Sequence, residues 1–213
     1  MKRDLSSLRQ DYAAHRLDEG QVLEDALAQF AAWFDQAQRA GIPEPNAMTL
    51  ATAGHQGQPS ARVVLLKELD TRGFVFYTHY GSRKGKELDA NPRAALVFLW
   101  LELQRQVRIE GVAERISPRE SNRYFASRPR ESQLGALVSP QSQPVPDRGY
   151  LEDLYGKAER ELAGKTIRRP AHWGGYRVVP DRMEFWQGRP GRLHDRLEYV
   201  RERQGWTIRR LAP

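Results

Sequence analysis

Cysteine is absent from this chain of 213 residues, and its absence excludes several kinds of chemistry at once. Without thiols there are no disulfide bonds, no cysteine nucleophile and no cysteine-ligated metal site. The longest apolar run, residues 94–101, is far shorter than the roughly 20 residues that a helix needs to cross a bilayer. Mean hydropathy is −0.72 and the first residues form no apolar signal-peptide core, so we expect a soluble, cytoplasmic protein.

The motifs of several large enzyme classes are missing as well. The chain has no G-x-G-x-x-G after a strand, no Walker loop, no G-x-S-x-G and no H-E-x-x-H. Its five histidines show no metal-ligand spacing. The sequence therefore argues against a Rossmann dinucleotide site, P-loop nucleotide binding, serine-esterase chemistry and a metal centre.

Arginine, by contrast, is abundant. Of the 34 basic residues 28 are arginine, and against 27 acidic residues they give a net charge of +7. A guanidinium group binds phosphate or carboxylate through two parallel hydrogen bonds, whereas lysine acts as a point charge. The excess indicates an anionic partner, either nucleic acid or a small phosphate-bearing molecule, although a solvated basic surface set by codon usage also explains it.

Hydrophobic periodicity predicts a mainly β protein with scattered helices. Helices are expected over residues 22–40, 81–90, 117–127 (opened by a capping box) and 150–163. Strands are expected over residues 48–53, 60–66, 74–78, 94–101, 106–116, 173–178, 183–186, 193–199 and 206–209. The fourth of these is expected to be buried on both faces. Short strands at this spacing indicate a small β-barrel with flanking helices (α+β) and argue against a doubly wound sheet.

Two basic segments stand at the ends of predicted strands. Arg62 and Lys67 lie at the two ends of one strand, on opposite faces if its alternation is regular. Arg83 and Lys84 begin a predicted helix, where positive charge is unfavourable unless an anion binds. The second segment therefore favours an anion site over a merely solvated surface.

A third segment surrounds a predicted helix end. Tyr124 and Arg128 are four residues apart and share one helical face. Pro129 ends that helix, and Ser132 is expected to begin the next short one, where it offers donors to an anion.

The fourth segment is the densest. A strand ending at Trp186 is followed by a Gly/Pro turn and then by a strand that is expected to place Arg192, His194 and Arg196 on one face. Three cationic groups on one face repel one another unless an anionic or electron-rich ligand lies against them. We expect a ligand site there.

Together these residues resemble the signature of the pyridoxamine/pyridoxine 5′-phosphate oxidases. The resemblance rests on Glu184-Phe185-Trp186-Gln187 followed by Arg192-Leu193-His194-Asp195-Arg196, and it extends along nearly the whole chain. Further matching segments are Leu8-Arg9 with Tyr12, 62–67, 76–78, 81–84, 105–107, 124–125, 127–129, 141–142, 173–175 and 210–213. Pro140 departs from the pattern, because a basic residue is expected there in the family.

The resemblance implies an FMN-binding split β-barrel that forms a homodimer with two FMN sites at the subunit interface. It implies a single domain over residues 21–213, preceded by a mobile arm over residues 1–20. The implied reaction oxidises pyridoxamine 5′-phosphate or pyridoxine 5′-phosphate to pyridoxal 5′-phosphate, a step of vitamin B6 biosynthesis. Oxygen is the acceptor, hydrogen peroxide is released, and neither nucleic acid nor a membrane is a partner.

The resemblance also implies a role for each matching residue. FMN would be bound, from either subunit, by Arg62, Val63, Val64, Leu65, Leu66, Lys67, Tyr77, Thr78, Arg83, Lys84, Gln106, Gln141, Ser142, Trp186 and Arg196. The substrate phosphate would be bound by Lys67, Tyr124, Arg128 and Ser132. Arg192 and His194 would be the catalytic pair over the substrate ring with Leu193 beside them, and Arg9 and Tyr12 would close the site from the arm.

Three other interpretations stay open. A related flavin oxidase, for example one of phenazine biosynthesis, would share the cofactor and act on another substrate. A basic nucleic-acid-binding barrel would be colourless, and its affinity would fall steeply with salt. A vitamer carrier would bind the phosphate ester and consume no oxygen. The four residues assigned to the substrate phosphate favour a phosphorylated substrate.

Overall fold

The computed structural model describes residues 12–213, and most elements in that range match predicted ones, although the short strand over residues 68–70 was not predicted. The helices are α1 (Ala26–Arg39), α2 (Arg83–Ala90), α3 (Pro118–Ser127), α4 (Arg130–Val138) and α5 (Arg148–Glu161). The strands are β1 (Ala47–Ala53), β2 (Pro59–Leu65), β3 (Glu68–Asp70), β4 (Gly73–His79), β5 (Arg93–Trp100), β6 (Arg105–Arg115), β7 (Trp173–Gln187), β8 (Asp195–Glu202) and β9 (Gly205–Arg210). None of these helices is long and apolar enough to span a bilayer.

The strands hydrogen-bond in the order β2-β1-β5-β6-β7-β4-β3, and β8 pairs with β7 and β9. The chain divides into two compact units. The terminal unit contains the described residues up to Thr49, Ala95–Glu110 and Pro180–Pro213, and the central unit contains Leu50–Ala94 and Gly111–Val179. The predicted boundary between an arm and a single domain at residue 20 stays a prediction.

Helix α1 supplies much of the core of the terminal unit. It begins at Ala26, four residues later than the periodicity predicts, because the Asp25 carboxylate caps it by accepting from the Ala28 N–H at 2.8 Å. Phe30 then packs edge-on against Phe98 of β5, with ring centroids 4.8 Å apart. The helix is therefore fixed to the sheet through aromatic contacts.

Strand β7 is continuous, although the sequence predicted two separate strands there. Its first half pairs antiparallel with β4, from Trp173 to Val178, and its second half pairs antiparallel with β8, from Arg182 to Gln187. Pro180, which has no N–H to donate, lies between these two pairing segments. Pro180 therefore does not interrupt β7, because neither the pairing with β4 nor the pairing with β8 requires a hydrogen bond from its nitrogen.

The expectation that residues 94–101 are buried on both faces was wrong for the single chain. Burial alternates along β5, and Leu99 is 56% exposed while Leu101, just beyond the strand, is 63% exposed. A continuous apolar run indicates burial only when both faces of the sheet are covered. One face of this strand therefore carries apolar side chains that the described chain leaves exposed.

Helix ends in the central unit follow their capping residues. Ser117 and Glu120 form the predicted capping box at the start of α3. Ser82 caps α2, whose Gly85 allows close packing: a Cβ there would lie 2.1 Å from the Tyr80 carbonyl oxygen. These caps fix where each helix starts and hence where its first side chains lie.

Candidate active site

Three polar side chains predicted to bind the cofactor meet at the start of α2. Thr78 Oγ1 donates to Gln141 Oε1 at 3.1 Å, and Lys84 Nζ lies 3.3 Å from the first oxygen and 3.2 Å from the second. Burial, reinforced by the charge of Arg62, lowers the pKa of Lys84. The cluster therefore holds a partly desolvated ammonium group beside two neutral polar side chains.

Arg62 and Arg83 converge on one carboxylate, that of Glu87. Arg62 Nη2 lies 3.1 Å from Glu87 Oε2, and Arg83 Nε donates to Glu87 Oε1 at 2.9 Å across one helical turn. Positive charge at the start of α2 is thus partly compensated, which the sequence did not predict. The expectation that Arg62 and Lys67 lie on opposite faces of one strand was wrong, because β2 ends at Leu65.

A cleft of about 420 Å³ adjoins this carboxylate. Its lining includes Arg83, Lys86 and Ser142, so the cleft brings one predicted cofactor residue from the helix together with another from a distant loop. Ser142 has a φ of 68°, in the left-handed region. The apolar residues predicted to accompany them range from exposed Val63, through half-buried Val64 and Leu65, to buried Leu66.

The residues predicted to bind the substrate phosphate lie beside an aromatic stack. The rings of Tyr77 and Tyr124 are stacked with centroids 3.8 Å apart, and Tyr77 is also stacked on Trp173 at 5.4 Å. The Arg128 guanidinium carbon lies 4.8 Å from the centre of a Trp173 ring. Arg128 is therefore held by an aromatic face, which orients the cation without neutralising it.

Arg128 and Ser132 line one cleft of about 280 Å³, together with Gln141 and Trp173. Nη1 of Arg128 is buried and has no hydrogen-bond partner among residues 12–213. Burial lowers the pKa of Arg128, although the guanidinium stays charged at neutral pH. Lys67, the fourth predicted phosphate ligand, is exposed and is not part of this lining.

The predicted start of a helix at Ser132 was wrong. Helix α4 begins at Arg130 with Pro129 as its N-cap residue, so Ser132 lies within the first turn. Proline opens the helix because its own φ suits that position and no N–H is needed there. Ser132 nevertheless lines the same cleft as Arg128.

In the terminal unit, three aromatic residues predicted for the site form a cluster. The rings of Trp186 and His194 lie 4.6 Å apart, and Tyr12 contacts both edge-on, at 5.9 Å and 6.0 Å. His194 Nδ1 accepts from the Arg189 N–H at 3.1 Å. Arg9, predicted to lie on the same arm as Tyr12, is outside the described residues.

The prediction that Arg192, His194 and Arg196 share one strand face was wrong. β8 begins only at Asp195, and Arg192 ends a short 3-10 turn with a φ of 61°. Arg196 is already neutralised, because Nε and Nη2 donate to the two oxygens of Glu184 at 2.8 and 3.1 Å. Arg192 is exposed and the neighbouring Leu193 is 74% exposed, so both remain free to contact a ligand.

The sequence did not predict the residues that contact the site arginines and fix their positions. Glu87 and Glu184 bind arginines, Trp173 supports Arg128, and Arg105 is buried in β6 next to half-buried Gln106. The Arg105 guanidinium lies 4.3 Å from the centre of the Trp33 ring. Their signal in the sequence is weak, because a carboxylate or a tryptophan acquires such a role only through folding.

Comparison with known proteins places these clusters in a family. Residues 34–157 match the family model described as pyridoxamine 5′-phosphate oxidase. Residues 173–213 match the model described as the pyridoxine 5′-phosphate oxidase C-terminal dimerisation region. The chain belongs to the pyridoxamine 5′-phosphate oxidase family. The predicted recognition is confirmed, and so are the mainly β split-barrel fold class and the flavoprotein oxidoreductase character.

Relatives of two kinds stand out within the family. A pyridoxine/pyridoxamine 5′-phosphate oxidase of Rubrobacter xylanophilus is 57% identical over 100% of this chain and 98% of its own length. The oxidase of the same name from Burkholderia lata is 55% identical, covering 98% of this chain and 99% of its own. The crystal structure of PhzG from Burkholderia lata, in complex with tetrahydrophenazine-1-carboxylic acid, superposes with a TM-score of 0.89 at 31% identity over 95% of this chain and 100% of that one.

Proposed function

We propose that this protein is an FMN-dependent oxidase that converts pyridoxamine 5′-phosphate and pyridoxine 5′-phosphate to pyridoxal 5′-phosphate. Oxygen would be the electron acceptor and hydrogen peroxide the second product. Family membership supports the oxidase activity. The substrate is supported by the cleft at Arg128, which suits a phosphate ester.

The observation that carries the substrate assignment is the buried Nη1 atom of Arg128, which has no partner within residues 12–213. A buried guanidinium N–H that stays unpaired costs free energy, and a phosphate oxygen is the acceptor that would satisfy it. Ser132 lines the same cleft and can donate through its hydroxyl. Tyr124, one helical turn before Arg128, stacks on Tyr77. A dianionic substrate group fits this donor set.

The chemistry of the donors at the start of α2 also fits the phosphate of FMN. Arg62, Arg83, Lys84 and Lys86 supply four positive charges, against one negative charge on Glu87. Lys84 is partly desolvated, and the cleft beside Glu87 is lined by two of the other cations. We propose that these residues hold the FMN phosphate, with Thr78, Gln141 and Ser142 as neutral hydrogen-bonding partners.

Bound FMN would supply the two-electron acceptor that couples substrate oxidation to the reduction of oxygen. The protein would contribute binding and orientation: the Arg128 cleft would hold the phosphate, and the family resemblance assigns Arg192 and His194 to the substrate ring. Because His194 Nδ1 accepts from a backbone N–H, a neutral His194 carries its proton on Nε2. His194 therefore offers a hydrogen-bond donor, and Arg192 a positive charge, to the oxygen and nitrogen atoms of the ring.

Oxygen uptake by the FMN-reconstituted protein tests the proposal. We expect uptake and peroxide release with pyridoxamine 5′-phosphate, and little with unphosphorylated pyridoxamine at the same concentration. Arg128→Ala should raise KM by about 10- to 100-fold, because a hydrogen bond to a charged group contributes ~1.5–3 kcal/mol. Arg119→Ala, which removes the same charge from an exposed position on α3, should leave KM unchanged.

Two results would overturn the assignment. A reconstituted protein that consumes no oxygen with either phosphate ester would not be this oxidase. An unchanged KM for Arg128→Ala would show that the substrate phosphate binds elsewhere.

The structural likeness to PhzG favours one alternative, oxidation of a reduced phenazine precursor. Burkholderia lata contains both kinds of protein, and this chain is 55% identical to its pyridoxine/pyridoxamine 5′-phosphate oxidase but 31% identical to its PhzG. That difference supports the phosphate ester as substrate. Oxygen uptake with tetrahydrophenazine-1-carboxylic acid in place of the phosphate ester would favour the alternative.

A further inference from the structure

Glu87 receives more hydrogen bonds than its place on a short surface helix requires. Its Oε2 accepts from Thr52 Oγ1 at 2.6 Å, from Ser60 Oγ at 2.6 Å and from Arg62 Nη2 at 3.1 Å, and its Oε1 accepts from Arg83 Nε at 2.9 Å. The side chain is only 12% exposed. A carboxylate with four donors from three different elements is rigidly held.

The same carboxylate stays ionised through the physiological pH range. Desolvation opposes its ionisation, but the hydrogen bonds from Ser60, Thr52 and the two arginines outweigh that effect and lower the pKa of Glu87 to about 2. The negative charge is therefore a permanent feature of a cluster that is otherwise positive.

The two arginines are held in different ways. Both terminal nitrogens of Arg62 are engaged, since Nη1 donates to the Leu50 carbonyl and to Thr52 while Nη2 donates to Ser60 and Glu87. Arg83 is bound only through Nε, and within residues 12–213 its Nη1 and Nη2 donate to no acceptor. Arg83 thus keeps two terminal nitrogens for a ligand, and it lines the 420 Å³ cleft.

We propose that Glu87 is a positioning residue for phosphate binding: it orients Arg83 and, through the hydrogen bond from Arg62, ties α2 to β2, so that both free nitrogens of Arg83 meet the FMN phosphate. The proposal rests on the proposed function, because it takes FMN to be the ligand of this cleft. Glu87 itself would not contact the phosphate, which its own negative charge repels.

A simpler role for Glu87, reducing the positive charge of the cluster, predicts the opposite change in FMN affinity when Glu87 is removed. If the carboxylate only reduced the positive charge of the cluster, its removal would strengthen the attraction of a dianionic phosphate. If it positions Arg83, its removal frees a long side chain whose ordering then costs free energy at each binding event. The direction of the change in FMN affinity therefore separates the two roles.

The test is a titration of the flavin-free protein with FMN, followed by the quenching of flavin fluorescence. For Glu87→Gln we expect the Kd for FMN to rise about tenfold or more, the scale of one lost charge-assisted hydrogen bond. The Kd for riboflavin, which lacks the phosphate, should stay unchanged. Glu102→Gln, at an exposed site outside α2, controls for the loss of one negative charge.

Thr52→Val and Ser60→Ala provide variants that keep every charge. Each removes one hydroxyl that donates to Glu87 and accepts from Arg62, so each should raise the Kd for FMN in the same direction by a smaller factor. These variants also keep the proposal testable if Glu87→Gln does not fold. A circular dichroism spectrum identical to that of the original protein confirms the fold of each.

The possible outcomes are distinct. A Kd for FMN that is unchanged or lower in Glu87→Gln would overturn the positioning role and leave the proposed function intact. An equal loss of riboflavin and FMN affinity would show that Glu87 only supports the fold. If the original protein bound no FMN at all, the proposed function itself would fail.

Discussion

At the scale of single residues, the neighbours of an arginine decide whether its guanidinium group can bind a ligand. Arg196 is paired with Glu184 at two positions, whereas Arg128 lies on an indole face with one buried nitrogen free of partners in the described chain. A paired guanidinium fixes structure, and a guanidinium held by an aromatic ring keeps its charge for a ligand. The residue count indicated an anionic partner, but only the neighbours identify which arginines can bind it.

The titration of His194 gives a prediction at this scale. Burial lowers the pKa of His194 below its usual 6.5, and the charge of Arg192 lowers it further. The imidazole is therefore neutral at pH 7, and we expect the acid limb of kcat/KM to lie below pH 6.5. Arg192→Gln removes the repelling charge, so the pKa of His194 should rise and the limb should move toward neutral pH.

An NMR titration of the imidazole protons measures the same midpoint without turnover. We expect a higher midpoint for Arg192→Gln than for the original protein. Arg203→Gln, which alters an exposed arginine in the turn after β8, should leave the His194 midpoint in place. A midpoint that stays the same or falls in Arg192→Gln would contradict the electrostatic account.

At the scale of elements, helix α3 links stability to binding. Its capping box satisfies the first N–H groups of a ten-residue helix, and the same helix carries Tyr124 and, at its C-cap, Arg128. Ser117→Ala should therefore lower the free energy of unfolding by about 1 kcal/mol, the usual effect of losing an N-cap. Urea denaturation followed by circular dichroism measures it, and Ser127→Ala at the other end of α3 is the control.

Binding provides the second readout for Ser117→Ala. The helix end moves more freely once its start is uncapped, so the KM for pyridoxamine 5′-phosphate should rise by a small factor. The assay contains no urea, so the variant is still folded when this KM is measured. Equal stability of Ser117→Ala and Ser127→Ala would contradict this role of the capping box.

The elements also show what the sequence can and cannot predict. Local signals located α3 and most strands within a few residues, because capping and alternation depend on neighbouring residues. The sequence predicted a break within β7, because the change of pairing partner at Pro180 depends on which strands lie beside it. The prediction that Arg192, His194 and Arg196 share one strand face failed, because a 3-10 turn and not a strand precedes Asp195.

The site could be predicted to the same extent. Family-matched positions such as Arg128 and Ser132 do share a cleft, since a resemblance carries spatial information that spacing alone lacks. Glu87 and Trp173 were missed because their partners are distant in sequence. A carboxylate four residues after Arg83 is a common helix-surface pair, and nothing local marks it as the acceptor of Thr52 and Ser60.

At the scale of the whole molecule, the net charge of +7 conceals extensive pairing. Arg177, whose side chain is 2% exposed, lies within 4 Å of Asp70, Glu114 and Glu120, three carboxylates of the central unit. Arg210 likewise binds Glu19 and Asp195 in the terminal unit. Arginines in such networks are not available to bind a nucleic-acid backbone. Many of the basic residues therefore stabilise the fold.

Assembly gives the prediction at this scale. Leu99 and Leu101 are more than half exposed, and apolar side chains exposed this far on neighbouring positions favour burial against another chain. With the family's dimerisation region present at residues 173–213, we expect a homodimer of twice 24.5 kDa in analytical ultracentrifugation. Leu99→Glu combined with Leu101→Glu should shift the species to the monomer, because charges at a subunit interface would be buried without partners.

The same variant tests whether FMN binds at the subunit interface. If residues of both subunits bind the flavin, dissociation to the monomer must weaken FMN binding, since the contacts from the second subunit are lost. Tyr150→Glu, on exposed α5, introduces one charge at another apolar position and should change neither mass nor affinity. A monomeric variant that retained the FMN affinity of the original protein would show that one chain alone completes the flavin site. A variant that stayed dimeric would place the subunit interface away from these two leucines.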